Sequence, residues 1–75
     1  MGQFNYKGCR IRTMCHQSTD GWVAECVAFA DRGNQTYEQQ LLDPSREQFP
    51  KLEDAEERAL QLAMKWVDEH WPWAK

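Results

Sequence analysis

The sequence predicts an α+β fold: a three-stranded antiparallel β-meander with one C-terminal α-helix packed on one face. Three observations carry this expectation. Apolar and polar side chains alternate with a period of two through residues 9–16. Asp20-Gly21 and Asp31-Arg32-Gly33-Asn34 then punctuate the chain as hairpin turns. From Leu52 the apolar spacing changes to threes and fours, the signature of a helix lying on a sheet.

The first strand is expected within residues 3–16. Cys9, Ile11, Thr13 and Cys15 alternate with Arg10, Arg12, Met14 and His16. Lys7-Gly8 interrupts the pattern, so Phe4 and Tyr6 either fold back as a short arm or lie on a kinked strand. The cluster Gln17-Ser18-Thr19-Asp20-Gly21 forms the first turn. Residues 22–30 read as the central strand. One face carries Trp22, Ala24, Cys26, Ala28 and Ala30; the other carries Val23, Glu25, Val27 and Phe29. The small face suits close approach of a helix. The third strand, residues 35–42, is polar enough to be an edge.

Pro44 ends that ladder, and residues 43–48 form a loop. Phe49 is an apolar anchor that leads the chain into a helix over residues 52–70. Glu53, Asp54, Glu56 and Glu57 crowd the first turns, where the positive end of the helix dipole favours them. The stripe Leu52, Ala55, Ala59, Leu60, Ala63, Trp66 and Val67 faces the sheet, and Pro72 stops the helix. The core is expected to join Ile11, Trp22, Leu60, Ala63 and Val67 in one cluster.

A chain of 75 residues has room for one domain, here residues 1–75, and for no deep cleft. Nine basic residues stand against twelve acidic ones, for a net charge of −3. General nucleic-acid binders are basic, so the charge argues against that class. No apolar run reaches bilayer length and no apolar leader is visible, so the expectation is a cytoplasmic protein without a membrane partner.

Cys9, Cys15 and Cys26 are odd in number and form no CxxC, which predicts reduced thiols rather than a disulfide framework. Cys15 and His16 are adjacent and point to opposite faces of a strand, so no shared metal is expected. His16 and His70 lie in no catalytic motif, and no HExxH, GxSxG or phosphate-binding loop is present. Neither an enzyme nor a cofactor is expected.

The segment Phe49-Pro50-Lys51-Leu52-Glu53-Asp54-Ala55, the opening Tyr6-Lys7-Gly8 and the hairpin Asp20-Gly21-Trp22-Val23-Ala24 resemble HicB-type antitoxin domains. They are also similar to small bacterial proteins with a β-β-β-α plan. The resemblance covers residues 6–70 in topology. It implies that fold, and it carries over no functional residue. Where HicB-type domains have a Pro-Gly segment, this chain has Ala30-Asp31-Arg32-Gly33.

The expected function is therefore a protein-interaction or regulatory module without catalysis, working as a homodimer or with a protein partner. Val23, Val27 and Phe29 on the face away from the helix are the candidate contact residues, with Trp71 and Trp73 beyond the helix. The open edge of the third strand is a second route to a partner. The alternative is a HicB-like antitoxin or nucleic-acid-associated regulator, with Lys7, Arg10 and Arg12 as the basic face.

Overall fold

The computed structural model describes residues 2–74. Seven strands precede one helix: β1 (Gln3–Tyr6), β2 (Cys9–Thr13), β3 (His16–Ser18), β4 (Gly21–Val23), β5 (Glu25–Arg32), β6 (Gln35–Leu42), β7 (Gln48–Phe49) and α1 (Leu52–His70). They form a four-stranded antiparallel sheet in the order β1-β2-β5-β6 and a three-stranded sheet in the order β3-β4-β7. The α+β class and the single C-terminal helix agree with expectation. The plain three-stranded meander does not.

Three physical causes account for the difference. First, the N-terminal arm folds back across a two-residue turn, with Lys7 and Gly8 both at positive φ, and joins the sheet as β1. Second, the long hairpin bends. Thr13 faces Cys26 and His16 faces Val23, so one register runs through the break. The Met14 N–H donates to the Glu25 carbonyl inside it. The expected first and central strands are thus continuous in path but divided between two sheets. Third, the chain after Pro44 returns to pair Phe49 and Gln48 with Trp22 and Val23 as β7.

The bend is held from the loop side by Asp43, whose side chain is fully buried. Its N–H donates to the Ala24 carbonyl at 3.3 Å. Its carboxylate accepts from the Ser45 N–H (3.1 Å), the Ser45 hydroxyl (2.9 Å) and the Arg58 Nε (3.2 Å). One side chain therefore links the bend, the loop and the helix.

The small face of the central strand meets α1, as expected. Ala24, Cys26, Ala28 and Ala30 are buried, and they oppose the helix stripe Ala55, Ala59, Ala63 and Val67. Small side chains on both surfaces bring the backbones close. The Cys26 thiol reaches the Ala59 carbonyl at 3.3 Å. The core separates into two clusters rather than one. Ile11, Ala24, Cys26, Ala59 and Ala63 pack together with Leu60 and Phe49; Cys9, Ala28, Ala30, Val67 and Trp71 form the other group. Trp22 belongs to neither; it lies in the second sheet, paired with Phe49.

Polar ties close both ends. The Thr13 hydroxyl, fully buried, accepts from the Gly2 N–H and donates to Glu56 of the helix. The Tyr6 hydroxyl and the Lys7 ammonium both reach Asp68, at 3.0 and 2.6 Å. The β1–β2 hairpin is thereby fastened to the last turns of α1.

Gly21 sits where β7 crosses β4. Its φ is 148°, and a Cβ there would lie 2.5 Å from the Phe49 carbonyl oxygen. Gly33 has φ 63° and open space around it. Gly33→Ala is therefore expected to cost only the left-handed backbone penalty of about 1–2 kcal/mol. Gly21→Ala adds an overpacking penalty of about 1–3 kcal/mol, because the neighbour is backbone. Urea unfolding of the two variants checks this; equal losses would place the β4–β7 contact elsewhere.

Candidate functional site

The sheet face away from α1 carries Arg10 and Arg12 of β2 beside Phe29 and Val27 of β5. The expected open apolar patch is largely roofed. Val27 is only 8% exposed, with Arg12 on one neighbouring strand and Gln40 on the other. Arg10 stacks over Phe29, 5.8 Å from the ring centroid, and its guanidinium lies 3.4 Å from the Asp31 carboxylate. Long polar side chains cover apolar surface with their stems while their charged ends stay in water. What remains is a dent of about 170 Å³ lined by Gln3, Arg10, Arg12 and Phe29. Val23 lies past the bend, in a separate hollow with His16, Glu25, Leu42 and Gln48.

The described part of the N-terminal arm does not cover this face. β1 lies in the plane of the sheet, and Tyr6 turns toward the helix. Lys7 follows it to Asp68, where that carboxylate holds the ammonium pKa above its ordinary value. The expected basic trio is therefore split: Arg10 and Arg12 stay on the outer face, and Lys7 leaves it.

The C-terminal aromatics do two different things. Trp71 is 9% exposed and packs in the core beside Ala30 and Val67. Its backbone N–H donates to the Val67 carbonyl and ends the helix. Trp71 is thus part of the fold rather than an open contact residue. Trp73 is half-buried, 5.8 Å from the ring of Tyr37 on β6 and 5.0 Å from the Arg32 guanidinium. Trp66 meets Trp71 edge-on at 4.7 Å, and His70 stacks on Trp66.

His16 stands 3.9 Å from Glu25, and both belong to the outer surface. The three cysteines are free thiols; Cys9 and Cys26 are buried. Burial pushes the Cys26 thiol up to about 12, with smaller contributions from Cys15 and Glu25, so it is inert as a nucleophile near neutrality. Among the described residues no three His, Cys, Asp or Glu side chains converge as metal ligands. No described helix is long and apolar enough to cross a membrane.

The feature that stands out is β6. It ends the four-stranded sheet, it is eight residues long, and every residue except Leu41 is exposed. Its sequence, Gln-Thr-Tyr-Glu-Gln-Gln-Leu-Leu, contains no Pro and no Lys, and Glu38 is its one charge. These are the residues that usually blunt an edge. A groove of about 280 Å³ runs beside it on the helix side, lined by Leu41, Leu42, Pro44, Leu62, Trp66 and the aliphatic stem of Lys65 among others. Tyr37 and Leu42 are among the most exposed large apolar side chains, at 37% and 47%. The polar composition of residues 35–42 marked an edge, but the groove needed the helix position to bring Leu62 and Trp66 alongside. The chain matches no protein-family model, no curated protein and no solved structure.

Proposed function

We propose that this chain is a protein-interaction module without catalysis that recruits an extended strand along β6. The carrying observation is the unpaired eight-residue edge with an apolar groove beside it. Strand addition draws affinity from main-chain hydrogen bonds and specificity from side-chain pockets. The edge supplies the first, and the hollow between Leu41, Leu62 and Trp66 supplies the second. The outer sheet face, roofed by Arg10, Arg12 and Gln40, has less apolar surface to offer.

In-cell photo-crosslinking tests this. A photoreactive residue at Glu38 or Gln40 is expected to capture a defined partner, identified by mass spectrometry. The same probe at Arg12 or Gln61 is expected to capture none. Capture concentrated at Arg12, or capture of RNA, overturns the reading.

A second reading, a nucleic-acid-associated regulator of the HicB-like kind, draws support from one observation. Arg10 and Arg12 flank Phe29 on one open surface, an arrangement that can stack a base and hold its phosphates. The cross-linked RNA outcome would promote it.

A further inference from the structure

We infer that the strand recruited by β6 is β6 of a second copy of this chain, antiparallel and centred on Gln39. This rests on the strand-recruiting reading above and names its occupant. The hydrogen-bond phase of β6 leaves every second residue free to pair. β5 and β6 are joined by the two-residue turn Gly33-Asn34, and Arg32 faces Gln35 across it. The pair closing such a turn is hydrogen-bonded, and bonded and unbonded pairs then alternate along the ladder. Gln35, Tyr37, Gln39 and Leu41 therefore bond inward to β5. Thr36, Glu38, Gln40 and Leu42 direct their N–H and C=O groups outward.

Symmetry then restricts the register. Opposed residues in an antiparallel pair point to the same face, so a two-fold axis must pass through a residue rather than between two. Centring on Glu38 sets two like charges directly opposite, which is destabilising. Centring on Gln39 places Thr36 opposite Leu42 of the second copy and Glu38 opposite its Gln40. Every outward N–H and C=O of the strand then has a partner. Shifting the axis to Glu38 or Gln40 leaves an outward residue at one end unpaired.

The side chains fit the same register. On the helix side Tyr37 meets Leu41 of the second copy, and the Gln39 amide, which in the single chain donates to the outward Gln40 carbonyl at 3.0 Å, yields that carbonyl to the incoming strand and meets its own counterpart. On the outer side the Gln40 amide can donate to the Glu38 carboxylate of the other chain. The apolar grooves of the two copies lie on the same side of the joined sheet, flanking the axis. Lys65 and Glu69 both rim the groove, so each copy brings one charge of either sign to this side of the joined sheet. The single charge on β6 thus acts as a register selector, and the missing Lys and Pro leave the edge open to its own copy.

The test joins sedimentation with thiol trapping in a Cys15→Ser background. Opposed residues of an unbonded antiparallel pair have Cα atoms about 4.5 Å apart, within disulfide reach. Gln39→Cys is expected to form a covalent dimer under mild oxidation, and Glu38→Cys and Gln40→Cys much less. Gln40→Pro removes an outward N–H and spares the ladder to β5, though it also loses the Gln40 bond to Glu25; it is expected to weaken dimerisation about 10-fold or more while far-UV circular dichroism still shows a folded monomer. A single species at 8.9 kDa at high protein concentration overturns the second copy, as does preferential trapping at Glu38 or Gln40. If a different protein is captured at β6 in cells while the purified chain stays monomeric, the second copy falls and the strand-recruiting reading stands. If nothing is captured at β6, that reading falls too.

Discussion

Ala63→Glu is expected to abolish cooperative folding. Ala63 has no exposed surface and packs among Ile11, Ala24, Cys26 and Ala59. The helix stripe and the strand face are both built of small residues, so there is no slack for a longer side chain. A carboxylate placed there loses its hydration and gains no partner. Leaving a charge buried and uncompensated costs about 3–5 kcal/mol. A domain of this size is stable by only about 4–11 kcal/mol, so the loss is a large share of the total. Ala63→Leu separates charge from volume: overpacking alone is expected to cost about 1–3 kcal/mol. Gln61→Glu, on the exposed side of the same helix, is expected to stay within about 0.5 kcal/mol. Circular dichroism melts of the three variants measure the order. An unchanged midpoint for Ala63→Glu would mean that a different helix face meets the sheet.

Asp43 is expected to give the second large effect, and one that depends on pH. Burial pushes its carboxyl up. The Ser45 N–H, the Arg58 guanidinium and the Ser45 hydroxyl together outweigh burial and hold it below the usual carboxylate range. A carboxyl with a lowered native pKa favours folding while it is ionised. That contribution is fully present above the unfolded value near 3.9 and is lost as pH falls through the lower native value. Asp43→Ala leaves the Ser45 N–H without its acceptor, at a cost of about 1–3 kcal/mol at neutral pH. Arg58 is 40% exposed and can rehydrate, so the ion pair adds little beyond this. Urea unfolding from pH 7 to pH 2 is expected to show the gap between wild type and Asp43→Ala constant above about pH 5 and narrowing below pH 4. A gap that is independent of pH would assign the loss to packing rather than to the carboxylate.

The local signals in this sequence were strong where one element decides its own shape. The threes-and-fours spacing from Leu52 to Val67, the acidic first turns and Pro72 define α1 at Leu52–His70 without reference to anything else. The run Ala24, Cys26, Ala28 and Ala30 identified the face that meets the helix, because only small side chains permit that approach. Phe49 as an anchor holds for the same kind of reason: it is an apolar residue isolated among polar ones, and it packs on the Ile11 cluster. The polar strand 35–42 was legible as an edge.

Tertiary structure decided what depends on two distant segments at once. Period-two alternation continues unchanged through Met14-Cys15 and Ala24, so nothing in it announces that the hairpin bends there. The bend is held by Asp43, which reaches Ala24 only because β6 runs back along β5 and its register continues one residue past Leu42. Trp22 fits the small face by parity but leaves it because it lies beyond that bend. Parity also set Val27 and Phe29 on the outer face correctly, but could not show that Arg10, Arg12 and Gln40 would roof them. Lys7 left the basic face because Asp68, far along the chain, stands within 2.6 Å of its ammonium. Periodicity reports which way a side chain points; its surroundings are set by what the rest of the chain brings there.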